Sequence, residues 1–193
     1  MRIRARYWGA GAMLALGATL VLLVALPSSA ANGAQHVRWD IFTLVGGNTI
    51  NPGGPASATA PGGDTITLTG SGHFVAPASG GGSGAVDGGG TWTTSSGGSG
   101  TYTVTGLVSW ESAGPQANVG FVDNIDDGTR TNGTAVLTIA FSDGSSGVLT
   151  VGCHGPGAPA GIFEGIATTK AYKTYYTVHD PEGEFGRTLF HVS

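Results

Sequence analysis

Residues 134–153 read TAVLTIAFSDGSSGVLTVGC. Ala135, Leu137, Ile139 and Phe141 recur at every second position, and Leu149, Val151 and Cys153 repeat the pattern after Ser142, Asp143 and Gly144. A period of two puts each set on one face of an extended chain, so the stretch predicts a β-hairpin. The turn length decides which faces meet. A two-residue loop of Asp143 and Gly144 would set Leu137 opposite Thr150 and scatter both apolar sets. A three-residue loop of Ser142, Asp143 and Gly144, with Gly144 in the left-handed region, sets Leu137 opposite Leu149 and Ala135 opposite Val151. The hairpin then sends Cys153 to the core face and His154 to the other.

Outward from this hairpin, further short runs rich in Thr, Val, Ile and aromatics read as strands at 37–44, 64–76, 91–95, 101–111, 163–169 and 187–192. No stretch of ten or more residues carries a helical period. With the hairpin these make about eight strands, which predicts an all-β domain, either a single antiparallel barrel or a two-sheet sandwich. Strand parity turns Tyr102, Val104, Val108 and Trp110 inward and Thr101, Thr103, Thr105 and Glu111 outward. Residues 48–63, with three prolines, read as an extended loop. Residues 79–100, with ten glycines, read as either a mobile loop or a thin strand pair, with the mobile loop favoured up to about Gly88. Residues 170–178, KAYKTYYTV, fit either a final strand or one helical turn.

Composition sets the outer bounds. The 193 residues include 36 glycines with no period of three, so a collagen-like structure is excluded, and 40% hydrophobic residues suffice for a core. Residues 1–31 carry Arg2, Arg4 and Arg6, an apolar run from about Ala10 to Ala25, then Pro27 and small residues, the pattern of a cleaved secretory signal peptide ahead of a domain over 32–193. Its removal would leave five basic residues against twelve acids, and five against twelve gives a formal charge of −7. Nucleic acid and an anionic membrane surface are not expected partners of such a chain. Cys153 is the single cysteine, so no intrachain disulfide is available and stability must come from packing.

From Gly88 onward the succession GGGTW, GTYTVTGLVSWE, AVLTIAFSDGSSGVLTVGCHG, FEGIATTKAYKTYY and GRTLFHV resembles a family of uncharacterised secreted bacterial all-β proteins. The resemblance covers about the last hundred residues. It implies a fold and export, and no activity or functional residue travels with it.

Candidate chemistry is sparse. His154, Glu164 and His191, joined by Glu111 at a strand end, would supply general acid and base groups if they line one cavity, although strand parity brings no two of them together. Cys153 and His154 point to opposite faces and form no nucleophile–base pair. The five histidines lack HxH or HxxxH spacing, and Asp123, Asp126 and Asp127 lack the alternation of a calcium loop, so no metal is expected, and no cofactor. No GxSxG elbow and no phosphate-cradling glycine motif occurs. Trp92, Trp110, Tyr172, Tyr175 and Tyr176 are candidate ligand-binding aromatics, suited to stacking on a sugar or to closing a barrel end. Thr65, Thr67 and Thr69 repeat the outward alternation of Thr101, Thr103 and Thr105, which gives either a solvated face of high β propensity or rows of hydroxyls suited to carbohydrate or ice. The leading expectation is a secreted, extracellular or envelope-associated, non-catalytic binding domain. A small barrel carrying an apolar ligand follows, then a small enzyme using His154, Glu164 and His191.

Overall fold

The computed structural model describes residues 33–178 and 187–193. The expected signal peptide lies outside the described residues, which contain no helix and fourteen strands in one sheet. These are β1 (Gln35–Val45), β2 (Thr49–Pro52), β3 (Pro55–Thr59), β4 (Thr65–Thr69), β5 (Ser71–Ala76), β6 (Gly89–Thr94) and β7 (Ser99–Pro115). They continue with β8 (Val122–Asp123), β9 (Thr129–Phe141), β10 (Ser146–Cys153), β11 (Gly165–Lys170), β12 (Lys173–Tyr175), β13 (Thr177–Val178) and β14 (Arg187–Val192). Antiparallel pairings run β1–β5–β6–β7–β9–β14 and back to β1, a closed six-stranded barrel. Of the two architectures expected, the chain adopts the barrel. The extra strands also return on themselves: β10, β11 and β12 extend from β9, while β4, β3 and β13 extend from β6, and one residue separates β12 from β13.

The deciding hairpin forms in the expected register. Leu137 pairs with Leu149 and Ala135 with Val151, and the Phe141 N–H reaches the Ser145 carbonyl across the three-residue loop at 2.8 Å. Gly144 sits at φ +85°, a conformation that costs other residues about 1–2 kcal/mol. Cys153 is buried and His154 exposed, as parity requires.

Several local expectations are corrected. Residues 48–63 are not a loop throughout. They hold β2 and β3, because Ala56, Ala58 and Ala60 alternate inward with Ser57 and Thr59 outward, a pattern written in residues too small to register as hydrophobic periodicity. The predicted strand 64–76 divides at Gly70 (φ +153°), where a β-carbon would overlap the Tyr102 hydroxyl and the Gly89 carbonyl. Residues 79–88 lie outside the regular strands yet are tied down by Val75 N–H to Ala85 and Leu107 N–H to Ser83. Of the two readings of residues 170–178 the strand holds, with β12 and β13 following the turn at Ala171 and Tyr172. Val108 is 47% exposed and Leu107 buried, because bulges between Val104 and Gly106 and between Leu107 and Ser109 invert and then restore the parity of β7.

The barrel interior is filled. Trp110 packs edgewise on Phe190 at 4.6 Å and on Phe74 at 5.6 Å, and Trp92 on Phe141 at 5.8 Å, among buried Leu68, Leu137, Leu149 and Ile166. Each such aliphatic side chain contributes about 1.5–3 kcal/mol through its removal from water. β1 is buried on both faces from Trp39 to Phe42, so a second layer must cover its outer side. β2 continues the sheet at the edge of β1 with β8 beside it, and Phe121 and Ile125 pack against the core.

Candidate functional site

A cavity of about 440 Å³ lies where β1, β2 and β14 meet the loop after β10. Phe121, Phe42 and Leu44 of β1, Ile50 of β2 and Leu189 of β14 make its apolar walls, and Gln116, His154, Glu164, Arg187 and Thr188 supply polar groups. The loop after β10 shapes the polar end. The His154 ring donates through Nδ1 to the Ile162 carbonyl at 2.8 Å, and the Gly155 N–H donates to Asn132 Oδ1 at 2.8 Å. The first bond closes the loop on itself and the second pins its start to β9.

Glu164 is the knot of the arrangement. Its carboxylate accepts the backbone N–H of His154 at 2.6 Å and that of Thr188 at 2.7 Å, so one side chain joins the end of β10 to β14. Burial pushes its pKa up to about 7, outweighing the two N–H groups and the nearby Arg187, which favour the charged form. Cys153 contributes a buried sulfur that accepts a hydrogen bond from Gln116 Nε2 at 3.2 Å. Burial, with the Glu164 charge beside it, pushes the thiol pKa far up, which keeps the sulfur protonated and inert.

Of the four residues considered for acid–base chemistry, the fold brings together His154 and Glu164 in this cavity, joined through the His154 backbone and not its ring. His191 is buried elsewhere, its Nε2 at 2.9 Å from Asp123 Oδ2, with Arg130 3.9 Å from the same carboxylate oxygen. Burial opposes the charge on Asp123, but bonds from His191 and from the Ile125 and Asp126 N–H groups hold its pKa below the ordinary value. Glu111 is exposed on β7 and takes no part in either group.

The candidate aromatics divide in the same way. Trp110, its indole N–H on Gln35 at 3.0 Å, is packed between Phe74 and Phe190. Tyr175 is buried, with its hydroxyl on Asp64 at 3.1 Å. Trp92 is 4% exposed, with the Lys170 ammonium 4.2 Å from its ring centroid. Trp92 and Tyr175 are therefore parts of the core and Trp110, half-buried, packs against it, whereas Tyr172 and Tyr176 are 92% and 58% exposed.

Sequence reasoning missed the apolar wall and two acidic anchors, Asp123 and Asp64. Asp64 gathers Lys173 at 2.5 Å, Ser95 at 2.6 Å and Tyr175, and these partners hold its carboxyl well below the usual range. One signal was present. Ile41 and Phe42 are adjacent apolar residues in a strand, which implies burial on both faces and hence a covering layer. A second cleft of about 440 Å³ lies between β1 and β5, but Arg38, His73, Asp87 and Asp127 line it and pair with one another across it. Comparison with protein-family models, curated proteins and solved structures finds nothing that matches this chain.

Proposed function

We propose that this chain is an exported, non-catalytic binding protein that holds a small ligand, with an apolar body and one polar end, in the cavity beside β1, β2, β10 and β14. The observation that carries the reading is a space of about 440 Å³, within the usual range of small-molecule sites, with apolar walls and a few polar groups at one end. The filled barrel interior supports a seat outside the barrel and not within it. Glu164 spends its two oxygens on backbone N–H groups, an arrangement that favours holding the loop in place over moving protons. The composition of residues 1–31 supports export.

The test is displacement of a fluorescent fatty acid by oleate, on the wild-type protein and on Ala158→Trp. Ala158 lines the cavity from the loop after β10, so an indole there fills the space without disturbing a strand. Saturable binding by the wild type that is lost in the variant is the expected result. Absence of saturable binding, or binding unchanged by the indole, would overturn the reading.

A further inference from the structure

A different part of the molecule carries a second, independent inference. The outward positions of β13, β3, β4, β6 and the first half of β7 fall into register as transverse rows. One row is Ser57, Thr67, Thr93 and Ser99, and the Ser57 and Thr67 hydroxyl oxygens are 2.7 Å apart. The next runs Thr177, Thr59 and Thr65 to Ser95, whose N–H donates to the Thr65 carbonyl. A third is Thr69, Thr91 and Thr101, with 2.7 Å between the first two hydroxyl oxygens. All these residues are exposed or half-buried. Strand geometry spaces the rows by about 6.6–6.8 Å along each strand and by about 4.7–4.9 Å between strands.

The chemistry of this grid is uniform. The chain has 20 charged residues, 8 basic and 12 acidic, and none stands on these rows. At their corner Asp64 and Lys173 neutralise each other. High β propensity alone explains threonine on such a face, but an ordinary solvated face also carries Lys, Glu or Arg, and this one carries hydroxyls, methyls and the ring of Pro55 opposite Thr69. In each bonded hydroxyl pair one hydrogen is used and the other remains to turn outward, so the face both donates and accepts. Two exposed tyrosines lie near it, Tyr176 next to Thr177 and Tyr172 in a recess with Ser96, Asp143, Lys170 and Lys173. Tyr176 donates its N–H to the Thr59 carbonyl at 3.3 Å, and Tyr172 stands at the β11–β12 turn, about 13 Å away along the strand. Ala171, beside it, is held at φ +52°, a strained conformation for alanine.

We infer that this face binds a neutral polysaccharide, the hydroxyl rows meeting the sugar hydroxyls and Tyr172 and Tyr176 stacking on sugar rings. Charge complementarity selects the occupant, since an uncharged surface on an acidic chain repels no neutral polymer and offers a polyanion no counter-charge. The test is depletion of the full chain from solution by microcrystalline cellulose, chitin and insoluble β-1,3-glucan. The wild type is expected to be retained by at least one of them, with little dependence on salt. Thr93→Lys should weaken retention on the order of tenfold or more, because an ammonium pressed under a neutral polymer loses its water without gaining a partner. Ser99→Glu, on the neighbouring strand, should do the same, and Tyr176→Ala should cost about two- to tenfold. Melting temperatures within a few degrees of wild type would show that these exposed variants fold. Ala158→Trp, which fills the cavity, should be retained like the wild type, so the two readings fail separately. Retention by none of the three polymers, retention insensitive to both charges, or thermal hysteresis in ice without polysaccharide retention would overturn the proposal.

Discussion

Raising the pH from 4.5 to 8 should weaken this protein through Glu164. The folded state holds the Glu164 proton with a pKa of about 7 against an ordinary value of 4.5, because the carboxyl is desolvated in the cavity wall. A group whose folded pKa is raised contributes stability in full below its unfolded pKa and loses it as pH rises through the folded value. The interval from 4.5 to about 7, at about 1.4 kcal/mol per pH unit, amounts to roughly 3 kcal/mol. For a chain of this size that lowers the melting temperature by about 6–12 °C. Asp64, Asp87, Asp123 and Asp143 have depressed values, so their contributions are present above the ordinary carboxylate range and are lost on acidification, outside this window. The assay is urea unfolding at pH 4.5, 6 and 8 for the wild type and Glu164→Gln. The variant should lose about 1–3 kcal/mol at pH 4.5, since an amide nitrogen cannot accept the second backbone N–H as a carboxyl oxygen does, and its profile should be flat where the wild type declines, so that the difference closes by pH 8. Parallel profiles, or a wild type that gains stability from pH 5 to 8, would refute the reasoning.

Two further expectations concern single residues. Ala171→Gly should stabilise the protein by about 1 kcal/mol in denaturant unfolding by relieving the left-handed backbone at φ +52°, and a loss of stability would mean that the side chain is needed there. Cys153 should resist a thiol reagent in the native state and react at the rate of global or local unfolding, whereas prompt stoichiometric labelling would contradict its burial and raised pKa.

What could be read in the sequence follows from how each pattern is carried. The 134–153 hairpin was legible down to its register because large apolar residues alternate on both arms and the loop offers one glycine in the right place. β3 was not legible, since Ala56, Ala58 and Ala60 carry the same alternation with little hydrophobic weight and prolines flank it. The bulges of β7 were missed too, because strand parity assumes an unbroken ladder, although Gly106 within TVTGLVSW is the kind of residue that marks the first of them.

The site divides along similar lines. His154 and Glu164 were singled out for the scarcity of ionisable groups around them, and they do share the cavity. Its apolar wall comes from β1, β2, β14 and the segment before β9, and adjacent Ile41 and Phe42 signal that β1 is covered on both faces without saying which distant segments do so. The partner of His191 is 68 residues away in sequence at Asp123, beyond the reach of any spacing argument.

Methyl-resolved NMR of the chain during titration with oleate would test the central claim most directly. The cavity reading predicts saturable shifts concentrated at Leu44, Ile50 and Leu189, which line the space, with Leu137 and Leu149 of the barrel core nearly still. Shifts centred on those core methyls, or no saturable change at the three lining residues, would contradict it.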